Sequence, residues 1–371
     1  MVKFNQNRKQ EGKKKLNPRN QIVFLCDGTG AHHTKLMRFL QENEPTEKFE
    51  FLFCGVSCQE CKIKDFEHAE IVSDFYNPPR HVKALLRSCL KIVIVGLFDP
   101  GVVFYFLTHR SLLKKTVVAF HGGEFYSIRG NLSLKMKVYQ LARRSIVARM
   151  RACYTFTPDD YEFAKKYYNL PSEHGYVELP WHYEISPNYA SIPKPNDPYV
   201  ILIGHNAHPE DHHIEILKEL ARFKEENIKI IAPLSYGPRN NQQLIIQTGK
   251  KLFGGKFIPL TEWIEPKQYQ KMLQSVSVFV LGTDRQAGTF NTNLMLRLGS
   301  KVYLNSDTSV WSYFEKYCGC KLFDIKSIAK QSFKEFVDFS VEDRMENSKK
   351  MYSKLTPESC LKSWQRVTQK D

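Results

Sequence analysis

The sequence has no apolar segment long enough to cross a bilayer as a regular helix. The best candidate, residues 92–107, is too short and is interrupted by Asp99, Pro100 and Gly101. Residues 1–19 are polar and rich in lysine, and they lack the apolar core of a secretory signal. We therefore predict a protein of the cytosol.

Cysteine spacing gives no disulfide framework and no complete zinc motif. Several of the nine cysteines lie within apolar stretches, which is typical of reduced thiols. Cys58 and Cys61 have the spacing of half a zinc knuckle or of a redox pair, but no second pair or histidine cluster follows with matching spacing. Cys318 and Cys320 are too close together to complete such a site. We interpret the segment around Cys58 as a plain loop.

Paired histidines do not supply the missing ligands. His32 is adjacent to His33, and His212 is adjacent to His213. Because the side chains of adjacent residues diverge, neither pair is expected to chelate an ion. The sequence therefore predicts neither a bound metal nor another cofactor.

Complete motifs for dinucleotides or nucleic acids are also missing. Asp27, Gly28, Thr29 and Gly30 follow an apolar strand but do not complete a dinucleotide-binding fingerprint. The net charge of +15 indicates an anionic partner, for which nucleic acid and an anionic membrane surface are the usual choices. Because no nucleic-acid motif accompanies this charge, we predict a membrane surface.

What the sequence does contain is a repeated alternation of short apolar strands and helices. Its 371 residues are enough for two domains, and strands separated by helices predict parallel sheets. A stretch rich in proline and asparagine at 186–198 marks a linker. We predict an α/β protein with two doubly wound, Rossmann-like domains that face each other across a cleft, as suits an enzyme with two substrates.

The predicted elements and divisions can be stated by residue number. The predicted strands are 22–26, 49–54, 91–95, 116–120, 199–203, 228–233, 257–260, 276–281 and 302–305. The predicted helices include 34–42, 210–223, 241–252, 266–275 and 292–298. The predicted divisions are a disordered basic arm at 1–20, an N-terminal domain at 21–190, a linker at 191–198, a nucleotide-binding domain at 199–345 and a helical tail at 346–371.

Small and amide residues follow the strands of the second half. They form the segments 204–207, 233–237, 285–293 and 305–307. Because the carboxyl ends of parallel strands line the crevice of an open sheet, these segments predict a nucleotide site. Gly288 allows close backbone approach, the helix after it presents N–H groups, and Arg285 can bind an oxyanion with two hydrogen bonds.

A second loop whose residues are suited to catalysis follows the strand 116–120 in the first half. His121, Gly122, Gly123 and Glu124 place a carboxylate after a sharp bend, where we predict that it faces the cleft as a general base. An ordinary glutamate that caps the next helix is the alternative interpretation. Asp27 is the second candidate carboxylate.

Basic residues are concentrated in the first half. Residues 134–151 carry six of them without an acid, while Leu134, Val138 and Leu141 fall at helical spacing. A second stripe lies at 80–91. Either stripe alone is typical of a solvated face, but together with the basic arm they predict a domain that faces acidic headgroups or a lipid pyrophosphate. The basic residues are Lys135, Lys137, Arg143, Arg144, Arg149 and Arg151 in the first stretch and Arg80, Lys83, Arg87 and Lys91 in the second.

Four motifs of the second half occur in the order and spacing of a known family. They are VILIGHN at 200–206, IIAPLSYGP at 230–238, RQAG at 285–288, and Gly299 leading to VYLN at 302–305 with Trp311 beyond. From about residue 21 to residue 366 the chain resembles the bacterial TDP-N-acetylfucosamine:lipid II N-acetylfucosaminyltransferases, glycosyltransferase family 56. The resemblance implies a GT-B fold, a donor site in the C-terminal domain, an acceptor site in the N-terminal domain and catalysis without a bound metal.

The resemblance also implies which residues bind the substrates. The implied donor site consists of Gly204, Asn206, Pro233, Ser235, Tyr236, Arg285, Gln286 and Gly288, to which we add Asn291 and Asn305 from the loops after the strands. The implied acceptor site consists of His121, Gly122 and Tyr126, to which we add Asp27 from the loop after the first strand. Glu124 and Arg285 are the expected catalytic pair. The family has a tryptophan where this chain has His121 and a different acid at Glu124, which leaves the acceptor sugar open. At Phe290 and Asn291 the family can carry smaller or different residues, so the donor sugar is also open.

The expected activity is sugar transfer during synthesis of a bacterial surface polysaccharide. An acetamido-deoxy sugar such as N-acetylfucosamine would pass from a dTDP-sugar to a polyprenyl-pyrophosphate-linked oligosaccharide. The enzyme would be a peripheral protein at the cytoplasmic side of the inner membrane. The alternatives are transfer from a UDP- or GDP-sugar to another acceptor, and a non-catalytic module that is recruited to the membrane.

Overall fold

We analysed a computed structural model of the chain, which describes residues 21–55, 58–126, 132–180 and 196–369. The side chains of Ala31, Tyr126 and Pro266 are not described. The predicted basic arm at 1–20 and most of the predicted linker lie outside the described residues. Within them, no helix combines the length and the apolar character needed to cross a bilayer.

The first half of the chain forms a seven-stranded sheet in which every described pairing is parallel. Its central strands are continuous apolar runs, because helices cover both faces of the sheet. The spatial order is β3-β2-β1-β4-β5-β6-β7. The strands are β1 Ile22–Asp27, β2 Phe49–Cys54, β3 Ala69–Ile71, β4 Lys91–Val95, β5 Thr116–Phe120, β6 Ala152–Thr155 and β7 Glu173–Tyr176.

The second half forms a six-stranded sheet of the same kind, also with parallel pairings. Its spatial order is β10-β9-β8-β11-β12-β13. The strands are β8 Tyr199–Ile203, β9 Ile228–Pro233, β10 Phe257–Leu260, β11 Val276–Leu281, β12 Lys301–Leu304 and β13 Phe323–Asp324. Two Rossmann-like sheets therefore confirm the predicted fold class.

Helices connect the strands and cover the two sheets. In the first half they are α1 Ala31–Asn43, α2 Arg80–Ser88, α3 Pro100–Thr108, α4 Gly123–Tyr126, α5 Leu134–Val147 and α6 Pro158–Ala164. In the second half they are α7 His213–Leu220, α8 Arg239–Phe253, α9 Pro266–Leu273, α10 Thr289–Arg297, α11 Ser309–Ser312, α12 Phe333–Val337, α13 Val341–Lys354 and α14 Pro357–Thr368.

Four of the five predicted helix starts differ from the observed ones, and at two of them the backbone explains the difference. The helix predicted from residue 210 begins only at His213, because Pro209–Asp211 forms a 3-10 turn and His212 adopts a left-handed φ of 51°. The helix predicted from residue 292 begins at Thr289, directly after Gly288, whose φ of 67° ends the preceding loop. The earlier start brings the N-terminus of α10 to the cleft.

The last two helices join the two sheets. Arg297 of α10 donates a 2.6 Å hydrogen bond to the Leu355 carbonyl just after α13, so α13 packs on the second sheet. Helix α14 instead packs on the first sheet, where the Trp364 ring lies 6.0 Å from that of Phe24 and its Nε1 donates to the Glu178 carbonyl. The region predicted as a helical tail thus holds the two halves together.

Candidate active site

The carboxyl ends of the two sheets face each other across a cleft of about 760 Å³. Loops from both halves line it, as expected for open parallel sheets. The first half contributes Asp27, His32, His33, Lys35, Phe98, His121 and Gly123. The second half contributes His205, Asn206, His208, Pro233, Ser235, Tyr236, Trp263, Tyr269, Arg285, Gln286, Ala287, Gly288, Thr289, Phe290 and Asn291, among others.

The N-terminus of α10 forms part of the second-half wall. Gly288 has a φ of 67°, and a Cβ atom on it would lie 2.7 Å from the Leu281 side chain, so a larger residue would be both strained and crowded. The first N–H groups of a helix have no intrahelical acceptor and carry partial positive charge. This nine-residue helix therefore offers a site for a phosphate group.

Arg285 lies in the loop before α10 and lines the same wall. Its side chain is 25% exposed, and its Nε lies 3.9 Å from Glu210 Oε1, a long ion pair that leaves it accessible from the cleft. A guanidinium next to a helix N-terminus suits a diphosphate, which needs both charge and directed donors. The structure brings Arg285, Gln286, Gly288 and Asn291, which the sequence analysis assigned to the donor site, together in this wall.

The loop after β8 is organised by Asp211, which the sequence analysis missed. Its carboxylate lies 2.7 Å from His205 Nδ1 and accepts the His205 backbone N–H at 2.8 Å. Burial alone would raise the pKa of Asp211, but the bonds from His205 outweigh burial and lower it. Asp211 lies six residues after His205 in the chain, and only the folded loop shows that its carboxylate contacts that residue.

Three predicted donor residues make contacts that stabilise their own loops. Gly204 does not line the cleft, and a Cβ atom there would lie 2.2 Å from His213 Nε2, so the glycine is needed for packing. Asn206 does line the cleft, but its Oδ1 accepts the His208 N–H at 2.6 Å and so holds the loop. Asn305 lies outside the cleft lining, where its Oδ1 accepts the Asp307 N–H at 3.1 Å.

Exposed aromatic rings line the outer part of the second-half wall. Tyr236 is 56% exposed and Trp263 is 75% exposed. Ser235 is exposed beside Tyr236, and Tyr269 accepts a 3.4 Å hydrogen bond from Asn291. Large exposed rings at a cleft are suited to stacking on a planar base. The sequence analysis named Ser235 and Tyr236 but missed Trp263. The only sign of this position in the sequence is that a tryptophan stands among mostly polar residues.

Glu124 lies beneath the cleft rather than facing it, which corrects the prediction of an exposed base. The side chain is fully buried, and Oε1 accepts N–H groups from Leu97 at 3.0 Å and His121 at 3.3 Å. Burial raises the pKa of Glu124, while the Leu97 bond and the charge of Arg143 oppose that rise. The bend at the two glycines turns the side chain inward, where it ties the His121 loop to the end of β4.

Asp27 is the carboxylate that lines the cleft from the first half. It is half-buried at the end of β1, below Gly55, on which a Cβ atom would lie 2.5 Å from Asp27 Oδ1. Burial, together with the charges of Asp99 and Glu124, raises the pKa of Asp27 to about 7. A carboxylate with this pKa can accept a proton near neutral pH.

Three histidine rings gather beside Asp27 in the same wall. The ring centroids of His32 and His33 are 4.2 Å apart, and those of His32 and His121 are 4.8 Å apart. The expectation that the adjacent rings diverge is therefore wrong. Both rings turn back over the loop that precedes α1, where His33 Nδ1 lies 2.9 Å from the Gly28 carbonyl oxygen. The two segments are 88 residues apart, so their meeting could not be read from spacing.

Gly122 lies against Gln286 in the loop before α10 of the other half. Its φ is 92°, and a Cβ atom on it would lie 2.9 Å from Gln286 Oε1. Tyr126, predicted to contact the acceptor, ends α4, but its side chain lies outside the described residues. The predicted acceptor loop thus contacts the donor loop through a glycine.

The basic stretches of the first half form outer surfaces rather than parts of the cleft. On α5, Leu134, Val138 and Leu141 are 77%, 49% and 64% exposed, so this apolar stripe faces outward. Lys135 and Lys137 flank it and are also exposed. Arg143 is an exception within the stretch, because it is fully buried and donates to the Glu124 carbonyl.

The second predicted stripe is shorter than the sequence indicated. Arg80, Lys83 and Arg87 lie on α2, which ends at Ser88. Lys91 belongs to β4 instead and is buried, with its Nζ 2.7 Å from the Gln369 carbonyl oxygen. The stripe therefore has three members.

Two parallel Rossmann-like sheets with a shared cleft define the GT-B class of glycosyltransferases, and solved structures of that architecture overlay on nearly the whole chain. Anabaena HepE in complex with UDP matches with a TM-score of 0.66 at 10% identity, covering 94% of this chain and 99% of its own. The lipopolysaccharide outer core galactosyltransferase WaaB matches with 0.63 at 12%, covering 94% and 99%. The N-terminal domain of Candida albicans trehalose-6-phosphate phosphatase matches with 0.65 at 11%, covering 97% and 98%.

The sequence itself identifies the family. A model described as 4-alpha-L-fucosyltransferase, glycosyl transferase group 56, matches residues 22–345. The chain therefore belongs to this family, as the motifs of the second half predicted, and it is a glycosyltransferase.

Proposed function

We propose that this glycosyltransferase transfers an acetamido-deoxy sugar, of the N-acetylfucosamine type, from dTDP to a lipid-linked saccharide. The observation that carries the proposal is that groups of different chemistry line the two opposite walls of the cleft. The N-terminus of α10 and Arg285 lie on one side of the cleft, and Asp27 lies on the other. One wall suits a diphosphate leaving group and the other suits an acceptor hydroxyl.

On the donor side, negative charge develops on the diphosphate as the bond to the sugar breaks. The N–H groups of α10 and the guanidinium of Arg285 would stabilise that charge. Trp263 and Tyr236 would hold the nucleoside, since both rings are exposed at the outer edge of this wall. The structural relative HepE was solved with UDP, which supports a nucleoside diphosphate as the donor group.

On the acceptor side, a carboxylate would take the proton from the attacking hydroxyl. We assign this role to Asp27, because it lines the cleft and Glu124 does not. Glu124 would position the His121 loop through its bond to the His121 N–H. The proposed base is thus Asp27, the second candidate carboxylate of the sequence analysis, in place of Glu124.

A lipid-linked acceptor requires the cleft to lie close to a membrane. The outward stripe on α5, with Leu134, Val138 and Leu141 beside Lys135 and Lys137, would contact an anionic bilayer at the cytoplasmic side of the inner membrane. Apolar side chains would enter the interface while the lysines bind acidic headgroups.

The first experiment is a thermal-shift series with dTDP, UDP, GDP and CDP on the purified protein. A ligand that binds only the folded state raises the melting temperature, so we expect selective stabilisation by dTDP. Selective stabilisation by UDP or GDP would show that the donor carries that nucleotide instead of dTDP, and the enzyme class would be unchanged. No response to any of the four would contradict a nucleotide-sugar site and favour a membrane-recruited binding module.

A transfer assay completes the test. The protein, the dTDP-sugar and a lipid-linked saccharide should together release dTDP and extend the saccharide by one sugar. Release of dTDP without extension would show that the acceptor assignment is wrong.

A further inference from the structure

Three imidazoles from two distant segments converge on the first-half wall of the cleft. One ligand nitrogen from each of His32, His33 and His121 lies within 4.8 Å of the other two. His32 and His33 come from the first turn of α1, and His121 follows β5. All three line the cleft, so the cluster is accessible to small ions.

The hydrogen bonding of His33 fixes the direction of its lone pair. Its Nδ1 lies 2.9 Å from the Gly28 carbonyl oxygen, which can only accept, so Nδ1 carries the proton. Nε2 therefore presents a lone pair, and it lies 3.0 Å from His121 Nε2. A ring held through one nitrogen by a carbonyl, with the other nitrogen directed into a cluster, is the usual arrangement of a metal-binding histidine.

The spacing of the nitrogens suits a first-row ion. With metal–nitrogen bonds of about 2.1 Å, two ligand nitrogens lie roughly 3.0 Å apart at a right angle and roughly 3.4 Å apart at a tetrahedral angle. The His33–His121 separation of 3.0 Å is at the lower end of that interval. Rotation of His32, which is half-exposed, would bring in the third nitrogen.

The electrostatic environment also favours coordination. Burial lowers the pKa of His33 to about 3 and lowers those of His32 and His121. The rings are therefore neutral at physiological pH. Because His33 Nε2 accepts the proton that His121 Nε2 carries, His121 has to take the tautomer protonated at Nδ1 when an ion binds.

The geometry points to a site for one divalent transition-metal ion of the Zn²⁺ class, held by His32, His33 and His121. Three neutral nitrogens match ions such as Zn²⁺ and Co²⁺, whereas Mg²⁺ and Ca²⁺ require oxygen ligands. With three protein ligands, at least one coordination position would remain open to the cleft. Since Gly122 follows His121 and meets Gln286, a phosphate or hydroxyl oxygen of a bound substrate could fill that position.

The site is tested by metal binding alone, so its failure is distinct from failure of the proposed transfer reaction. The full chain, treated with a chelator and freed of it, is titrated with Co²⁺ and followed by visible absorption and equilibrium dialysis. We expect one equivalent bound with the spectrum of nitrogen and oxygen ligands. His33→Ala and His121→Ala should each weaken binding by about tenfold or more.

The matched control is His208→Ala, which removes a histidine from the opposite wall of the same cleft. It should bind Co²⁺ as the unchanged protein does. His32→Ala supplies a third test at a half-exposed position, in case His33→Ala impairs folding, and circular dichroism verifies each variant.

Any of four results would overturn the site. One is the absence of stoichiometric Co²⁺ binding. Another is binding that persists in folded His121→Ala and His32→Ala proteins, or a thiolate band that places the ion at Cys58 and Cys61. The last is equal competition by Mg²⁺, which three imidazoles cannot explain.

Discussion

Gly122 of the first half lies against Gln286 of the second, since a Cβ atom on Gly122 would lie 2.9 Å from Gln286 Oε1. The φ of 92° at Gly122 is also one that side chains rarely adopt. This glycine is thus constrained both by its own backbone and by the donor loop across the cleft.

Gly122→Ala should therefore impair both stability and turnover. Backbone strain of this kind costs about 1–3 kcal/mol, and displacement of Gln286 should lower kcat/KM by roughly tenfold, because small misplacements at a reacting centre are costly. Steady-state kinetics and thermal melts measure the two effects. Gly254→Ala is the control, because Gly254 also has a positive φ but nothing lies within 4 Å of a Cβ there. Equal kinetics of the two variants would contradict this explanation.

Arg285 should contribute to nucleoside diphosphate affinity through directed hydrogen bonds. Arg285→Ala is expected to weaken dTDP binding by roughly 10- to 100-fold, since hydrogen bonds to charged groups contribute about 1.5–3 kcal/mol. Arg285→Lys should recover only part of the loss, because lysine lacks the planar pair of donors. Isothermal titration calorimetry measures the affinity. Arg239→Ala, at an exposed position outside the cleft lining, should leave it unchanged.

Replacement of the two candidate carboxylates should separate base from positioning residue. Asp27→Asn is expected to lower kcat by about 10²- to 10⁴-fold, the usual contribution of a general base, with donor affinity retained. Glu124→Gln keeps an oxygen that can accept the Leu97 and His121 N–H groups, so measurable turnover should remain. Single-turnover kinetics with dTDP binding as a control distinguish the roles. Abolished turnover in Glu124→Gln beside an active Asp27→Asn would return the base assignment to Glu124.

The outward stripe on α5 should govern membrane binding. The double variant Leu134→Ser with Leu141→Ser should bind vesicles that contain phosphatidylglycerol about tenfold or more weakly, since it removes two side chains that would be buried in the interface. Its unfolding free energy should change little, because both side chains are exposed. Vesicle co-sedimentation provides the measurement. Leu244→Ser removes a leucine that is 50% exposed on α8, and an equal loss there would contradict a role specific to α5.

Glu178 should make stability depend on pH through the contact between the first sheet and α14. Burial raises the pKa of Glu178 to about 7, against the lowering effect of the Ser359 hydroxyl, which lies 2.7 Å from its carboxylate. Between pH 4.5 and 7 the folded protein keeps a proton that the unfolded chain loses, so stability falls as pH rises.

The expected loss from this group is up to about 3 kcal/mol at pH 8 relative to pH 4.5. Glu178→Gln should remove most of that dependence, and denaturant unfolding at several pH values measures it. Glu219→Gln, at an exposed position on α7, should leave the pH dependence of stability unchanged. An unchanged pH dependence in Glu178→Gln would show that other groups are responsible.

Local sequence was sufficient for the fold class and for nine of the thirteen described strands, but not for β3, β6, β7 and β13. Runs such as residues 276–281 are apolar throughout, and a parallel strand covered on both faces requires such a run. Because parallel strands align their carboxyl ends, the segment from Arg285 to Gly288 was bound to reach the cleft edge. The family motifs lie in these same loops.

Only the tertiary structure decided which side of each element faces the cleft, the core or the solvent. The same glycine bend was compatible with Glu124 outward or inward, and packing against Leu97 and Arg143 turned it inward. Helical spacing placed Leu134, Val138 and Leu141 on one face, but contacts between α3 and α5 determined that this face is exposed. The meeting of His33 with His121, 88 residues later, depends on the sheet order, in which β4 pairs with both β1 and β5. Sequence periodicity fixes which residues share a face, whereas long-range packing determines what that face contacts.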